Sequence, residues 1–172
     1  MSDGGPLRRV VLPPDVKGRL YLSSMPGYLE ELGHHRAAWR AEGIDLILCL
    51  VPPEEMACKA GAYLAHVREG TDVPHRCLPV PDGGVPEDEA GFRAAISELA
   101  ERLRRGERVL VHCAAGIGRT GMAAACLLRA LGLDAEEALS RVAEAGSFPE
   151  NSAQKAWVRG FAPSAAGGGD QR

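Results

Sequence analysis

The 172-residue sequence predicts a single α/β domain, a three-layer sandwich in which a central, mostly parallel four- to five-stranded sheet lies between helices. Two observations carry that expectation. Short β-rich runs at 19–22, 44–51, 76–80 and 108–112 alternate with longer segments of helical period, the order that βαβ units produce. Residues 44–51 are also almost continuously apolar, as in a central strand covered on both faces. At 45% hydrophobic and 25% charged residues, the composition is that of an ordinary globular protein with enough apolar surface for a core.

Taken in order, residues 1–17 hold three prolines and little periodicity and are expected to be flexible. Residues 18–161 form the domain, and 162–172, with Gly167, Gly168 and Gly169, form a disordered tail. A helix starts at Pro53, carries Met56, Ala60, Tyr63, Leu64 and Val67 on one stripe, and stops at Gly70. Another follows Pro86, with Glu87, Asp88 and Glu89 in its first turn, Phe92, Ala95, Ile96, Leu99 and Leu103 facing the sheet, and Gly106 as its stop. The segment 122–131 is apolar almost all round and predicts a buried helix. Asp134 with Glu137 reads as a capping box, and Trp157, Val158 and Phe161 anchor the last helix.

The net charge of −3 is spread over interspersed signs, which excludes an electrostatic footprint for nucleic acid or an anionic membrane; any anion must be bound locally. Uncharged runs such as 120–128 fall far short of the ~20 residues of a spanning helix, and residues 1–6 lack a basic-then-apolar signal pattern. A cytoplasmic monomer is expected. Five cysteines without a CxxC pair argue against a disulfide framework and a zinc site. Cys58, Cys77 and Cys126 are expected to pack. His34 and His35, adjacent on a helix, point different ways, make a poor metal pair and are expected to face solvent. No metal or cofactor is called for.

The informative stretch is 109–121, VLVHCAAGIGRTG, which reads strand, tight loop, helix. Small residues let the N–H groups of Ala114, Ala115, Gly116, Ile117 and Gly118 converge, and a helix starting near Gly118 adds its positive end. Arg119 supplies a planar fork for two phosphoryl oxygens. Cys113 ends the strand and points into the cradle, where the positive surroundings are expected to ionise it at neutral pH. Thr120 offers a hydroxyl to the departing sulfur, and His112 orients the loop through backbone contacts. A nucleophile inside an anion cradle is an arrangement for phosphoryl transfer. An alkoxide leaving group then needs a proton, and Asp82, in the PDGG loop 31 residues before Cys113, is the candidate acid. The competing role for Asp82 is a simple Asp-Gly turn.

The HCxxGxxRTG stretch resembles the signature loop of the cysteine-dependent protein tyrosine and dual-specificity phosphatases. With LYLSSMPG at 20–27, PDGG, and the helix carrying Cys126, the resemblance extends from about Gly18 to Phe161 and is strongest to the kinase-associated phosphatase branch. It implies a dual-specificity phosphatase fold. It also implies in-line attack by the thiolate, a phosphocysteine hydrolysed by water, no metal, and a phosphoprotein or phosphopeptide substrate. A water-positioning glutamine of that family corresponds to Gln154, while a preceding family glutamine falls on Glu150. Cys49 matches a cysteine that captures the oxidised nucleophile as a reversible disulfide; its alternative is a small buried hydrophobe. Inositide phosphatases of the superfamily carry lysines in the loop, where this chain has Ala114, Ala115 and Ile117. A non-protein phosphoester and a phosphoprotein-binding module of little activity remain the alternative functions.

Overall fold

The computed structural model describes residues 5–163. Five strands, β1 (Arg8–Val10), β2 (Arg19–Ser23), β3 (Leu46–Cys49), β4 (His75–Cys77) and β5 (Arg108–His112), form one sheet in the order β1-β2-β5-β3-β4. All neighbours are parallel except β1, which runs antiparallel to β2 with Arg8 opposite Leu22. Every residue of β3 is buried, so helices cover the sheet on both faces, as its apolar run predicts. The helices are α1 (Leu32–Glu42), α2 (Pro53–Lys59), α3 (Gly61–Glu69), α4 (Glu89–Arg104), α5 (Gly118–Ala130), α6 (Ala135–Glu144) and α7 (Ser152–Gly160). Among the described residues no helix is long and apolar enough to cross a membrane.

Strand β5 and helix α5 form the axis of the domain. Each residue of α5 from Gly118 to Leu128 is buried, and the helix packs on β5, α4, α6 and α7. The predicted stripe of α4 is buried throughout, and its Phe92 meets Trp157 and Phe161 edge-on at centroid distances of 5.9 and 6.1 Å. Asp134 accepts from the Glu137 amide at 2.9 Å, forming one half of the expected box; the Glu137 carboxylate turns to Arg141 instead.

Several expectations are corrected. The segment 1–17 is not wholly loose: β1 adds an edge strand, with Val10 buried and Arg8 reaching into the domain. The helix predicted from Pro53 to Gly70 breaks at Ala60, whose φ of −154° and ψ of 66° separate α2 from α3. Asp88 caps α4 from outside, accepting from Gly91 N–H at 2.9 Å, so Glu89 alone is in the first turn. The strand at 76–80 is regular only over His75–Cys77, because Pro79 and Pro81 have no N–H. The N–H groups of Leu78 and Val80 still donate to Cys49 and Leu50 at 2.9 Å, which carries the chain along β3 toward the site.

His35 does not face solvent. It is fully buried one turn before Trp39, its two ring nitrogens find no partner among the described residues, and burial lowers its pKa to about 4. Cys58 and Cys77 are exposed and do not pack; Cys126 does. The residues from 164 onward, most of the expected tail, lie outside the described residues.

Candidate active site

The loop between β5 and α5 is shaped by its carbonyls. A peptide C=O and the N–H that follows it lie in one plane and point in opposite directions, so a carbonyl pinned outward turns the next N–H inward. Four are pinned. Cys113 O faces His112 Nδ1 at 3.0 Å, Ala114 O accepts from Met25 N–H at 2.8 Å, and Ile117 O accepts from Gly121 at 2.8 Å and Phe148 at 3.1 Å. Gly116 O accepts from Ser147 Oγ at 2.6 Å and Arg8 Nη2 at 2.7 Å. The N–H groups of Ala114, Ala115, Ile117 and Gly118 are thereby aimed to the other side. Among the described residues none accepts from the N–H groups of Ala114 through Gly118. Gly116 is required: its φ is +80°, and a Cβ there would lie 2.5 Å from Ser23 O.

Cys113 is 2% exposed at the end of β5, at the mouth of this turn. His112, one residue earlier, is fully buried, and burial lowers its pKa to about 3, so its imidazole is neutral. A carbonyl can only accept, which puts the proton of His112 on Nδ1. Nε2 then accepts from Tyr63 Oη at 2.7 Å, and Tyr63 also meets His75 Nε2 at 2.9 Å. The loop-orienting role expected of His112 thus has a buttress, Tyr63, that the sequence reading assigned only to a helix stripe. Thr120 is buried, and its hydroxyl has no partner among the described residues.

Arg119 is 3% exposed and held on three sides. Glu55, in the first turn of α2, binds it end-on, with Nη1 to Oε1 at 2.9 Å and Nη2 to Oε2 at 2.8 Å. Nη1 also donates to Val80 O at 2.9 Å, and Nη2 reaches Asp82 Oδ1 at 3.3 Å. Burial alone would lower the guanidinium pKa; Glu55 and the facing Cys113 and Asp82 outweigh it and raise it, while Arg119 in turn lowers that of Glu55. The four terminal N–H groups are all engaged. Because Glu55 takes the Nη1–Nη2 end, Asp82 sits on the Nε–Nη2 edge, where an oxyanion would dock. Glu55 was not among the sequence candidates: a first-turn acid looks the same whether it serves the helix end or a distant arginine.

Asp82 both makes a turn and faces the site. Gly84 N–H donates to Pro81 O at 2.8 Å around Gly83, whose φ is +73°, and the Asp82 side chain is 71% exposed above Arg119. The loop is tied to α7, with Asn151 Nδ2 donating to Gly83 O at 2.8 Å and Gln154 Nε2 to Gly84 O at 3.0 Å. Gln154 is not a solvated helix residue. It is fully buried, its Oε1 accepts from Glu150 N–H at 2.8 Å, and its Nε2 donates to the Asp82 loop. Cys49 is buried in register between His112 on β5 and Cys77 on β4. Its Sγ donates to Val51 O at 3.9 Å, and the neighbouring Cys77 together with burial pushes the Cys49 thiol up. Among the described residues no cluster of three or more His, Cys, Asp or Glu is disposed to hold a metal ion.

The profile of the Swiss Army Knife protein DSP-PTPase phosphatase domain, PTP-SAK, matches residues 16–167. The chain belongs to this family. Its members are cysteine-dependent phosphatases of the protein tyrosine and dual-specificity class. Over 50 residues this phosphatase domain is 44% identical to cyclin-dependent kinase inhibitor 3 of Rattus norvegicus, covering 29% of this chain and 23% of that protein. The match thus spans less than a quarter of that relative. Kinase associated phosphatase, crystallised with its catalytic cysteine replaced by serine, shares the fold with a TM-score of 0.79 at 20% identity, over 91% of this chain and 94% of that one. TpbA of P. aeruginosa in complex with pTyr superposes with a TM-score of 0.58 at 21% identity, over 93% and 92% of the two chains.

Proposed function

We propose that this phosphatase domain hydrolyses phosphomonoesters through a phosphocysteine on Cys113, without a metal, and that its substrates are proteins carrying phosphotyrosine. Phosphoserine and phosphothreonine are secondary substrates. The reading rests chiefly on the row of outward-pinned carbonyls from Cys113 to Ile117, because it aims the loop N–H groups around a buried sulfur. The thiolate attacks phosphorus in line, and the equatorial oxygens take the loop N–H groups and the Nε–Nη2 edge of Arg119. Displaced from that edge by the oxyanion, Asp82 takes up a proton from solvent and gives it to the leaving oxygen; as a carboxylate it then draws a proton from the water that attacks phosphocysteine. Thr120, unpartnered until then, donates to the sulfur as it leaves.

An aryl ester is favoured by the surroundings of the loop. Phe148, 51% exposed, is tied to the loop by its N–H, which donates to Ile117 O at 3.1 Å. Tyr28, 41% exposed, is linked to the Glu55–Arg119 pair through Lys59, whose Nζ is 5.5 Å from the Tyr28 ring centroid and bonds Glu55. The phosphotyrosine held by TpbA supports the same choice. A cytoplasmic, monomeric enzyme and a Cys49–Cys113 disulfide under oxidation belong to the same reading. The test is hydrolysis of an activated aryl phosphate and matched phosphotyrosine, phosphoserine and phosphothreonine peptides, with chelator or vanadate added. Chelator leaves the rate unchanged, vanadate abolishes it, and Cys113→Ser is inactive. Loss of activity with chelator, or activity in Cys113→Ser, would overturn the proposal.

A further inference from the structure

We propose that Arg8, on the edge strand β1, is a positioning residue that holds the phosphate loop in its anion-binding form. The inference rests on the phosphatase reading of Cys113. Arg8 is far from the loop in sequence and reaches it across β2. Its Nη2 donates to Gly116 O at 2.7 Å, and its Nη1 donates to Ser147 Oγ at 2.9 Å and to Ala145 O. The hydroxyl of Ser147, itself fully buried, donates to the same Gly116 carbonyl at 2.6 Å. Gly146, with φ of +92°, leaves room for the arginine: a Cβ there would lie 2.9 Å from Nη1. One carbonyl of the loop is thus gripped by a cation and a hydroxyl that are locked to each other.

The grip has a consequence for the opposite end of the same peptide unit. With Gly116 O held outward, Ile117 N–H must face the site, and a positive charge on the oxygen withdraws electron density from the amide and strengthens that N–H as a donor. Burial lowers the pKa of Arg8, and Cys113 partly offsets this. A guanidinium keeps its charge in such half-buried surroundings. Arg8 therefore acts twice, through loop geometry and through the charge it brings to the Gly116 carbonyl. The other three pinned carbonyls, of Cys113, Ala114 and Ile117, have neutral donors; among the described residues, Gly116 O is the loop carbonyl with a cationic partner.

Three variants test this: Arg8→Met, which removes both effects, Arg8→Lys, which keeps charge without the fork, and Ser147→Ala, which loosens the grip. The readouts are kcat/KM on an aryl phosphate, thermal unfolding, and alkylation of Cys113 by iodoacetamide at about pH 6 and about pH 9, followed on its peptide by mass spectrometry. Arg8→Met is expected to lose ~10- to 100-fold in kcat/KM and to slow alkylation at the lower pH ~5-fold or more, while at the higher pH it matches wild type. Arg8→Lys keeps near-wild-type alkylation at the lower pH but loses ~3- to 10-fold in kcat/KM, as does Ser147→Ala. A purely structural role would lower the unfolding temperature and leave the ratio of the two alkylation rates alone. Arg8→Met within twofold of wild type in both kcat/KM and that ratio overturns the inference. If Arg8→Met does not fold, Arg8→Lys and Ser147→Ala decide, and wild-type kcat/KM in both overturns it. Inactivity of the wild-type chain itself would instead sink the phosphatase reading.

Discussion

Replacing Asp82 by Asn should separate binding from chemistry, because the carboxylate has two opposing effects. Its oxygen lies 3.3 Å from Arg119 Nη2, on the edge an oxyanion needs, so in the resting protein it competes with the ligand. The side chain is 71% exposed, so a water-like dielectric applies, and a unit charge facing another at ~4 Å is then worth about 1 kcal/mol. Removing it should tighten vanadate binding about fivefold. The same change removes the proton for the leaving group, which should cost ~10²- to 10⁴-fold in kcat on an alkyl phosphate or a phosphotyrosine peptide. An activated aryl ester, whose leaving oxygen needs no proton, should be slowed far less. The assay is steady-state kinetics on the two ester types with vanadate inhibition constants for wild type and variant. Equal slowing of both esters, or weaker vanadate binding, would refute the placement of Asp82 as acid on the Arg119 edge.

Glu55→Gln replaces the charged acceptor of Arg119 by an amide that turns a donor toward the guanidinium. The loss approaches the cost of breaking one side of a buried pair, about 3 kcal/mol, so kcat/KM on an activated ester should fall ~100-fold, and a variant within twofold of wild type would contradict the clamp. Acid should destabilise the fold through its buried neutral histidines. His112 and His35 are lowered to about 3 and about 4, so between there and their unfolded value the unfolded chain binds more protons. Their stability is complete above about pH 6.5 and drains away below it, with His112 alone accounting for about 2 kcal/mol between pH 7.5 and pH 5. Urea unfolding at the two pH values measures this, and His35→Leu should flatten the dependence; equal stability at both would contradict it. Mild peroxide should give a Cys49–Cys113 crosslink in the intact mass. A Cys49–Cys77 crosslink in its place would assign Cys49 to its strand neighbour.

The parts of the site that are contiguous in sequence are the parts that could be read there. Cys113, Gly116 and Arg119 sit within seven residues, and the Asp-Gly turn at Asp82 is a local signal. Arg8 and Glu55 are not local: they meet the loop across 108 and 64 residues, and nothing in a lone edge arginine or a first-turn glutamate announces the partner. Gln154 shows the converse limit, since its position near the site is legible but the atoms its amide bonds, Gly84 O and Glu150 N, depend on how α7 docks. In the fold, β3 and α4 follow from apolar patterning. The short β1 is held by pairing with β2 and by Arg8, and so leaves no periodicity to detect. His35 was read as exposed because a histidine pair on a helix usually is; here α1 turns it inward next to Trp39.

The central claim is that the sulfur of Cys113 becomes bonded to phosphorus during turnover. Rapid quenching of the domain with an activated aryl phosphate, followed by mapping of the adduct by mass spectrometry, tests it directly. The account predicts a burst of about one leaving group per chain and a phosphoryl group on the peptide containing Cys113. A burst with the phosphoryl group on any other residue, or turnover with phosphate passing straight to water, would contradict it.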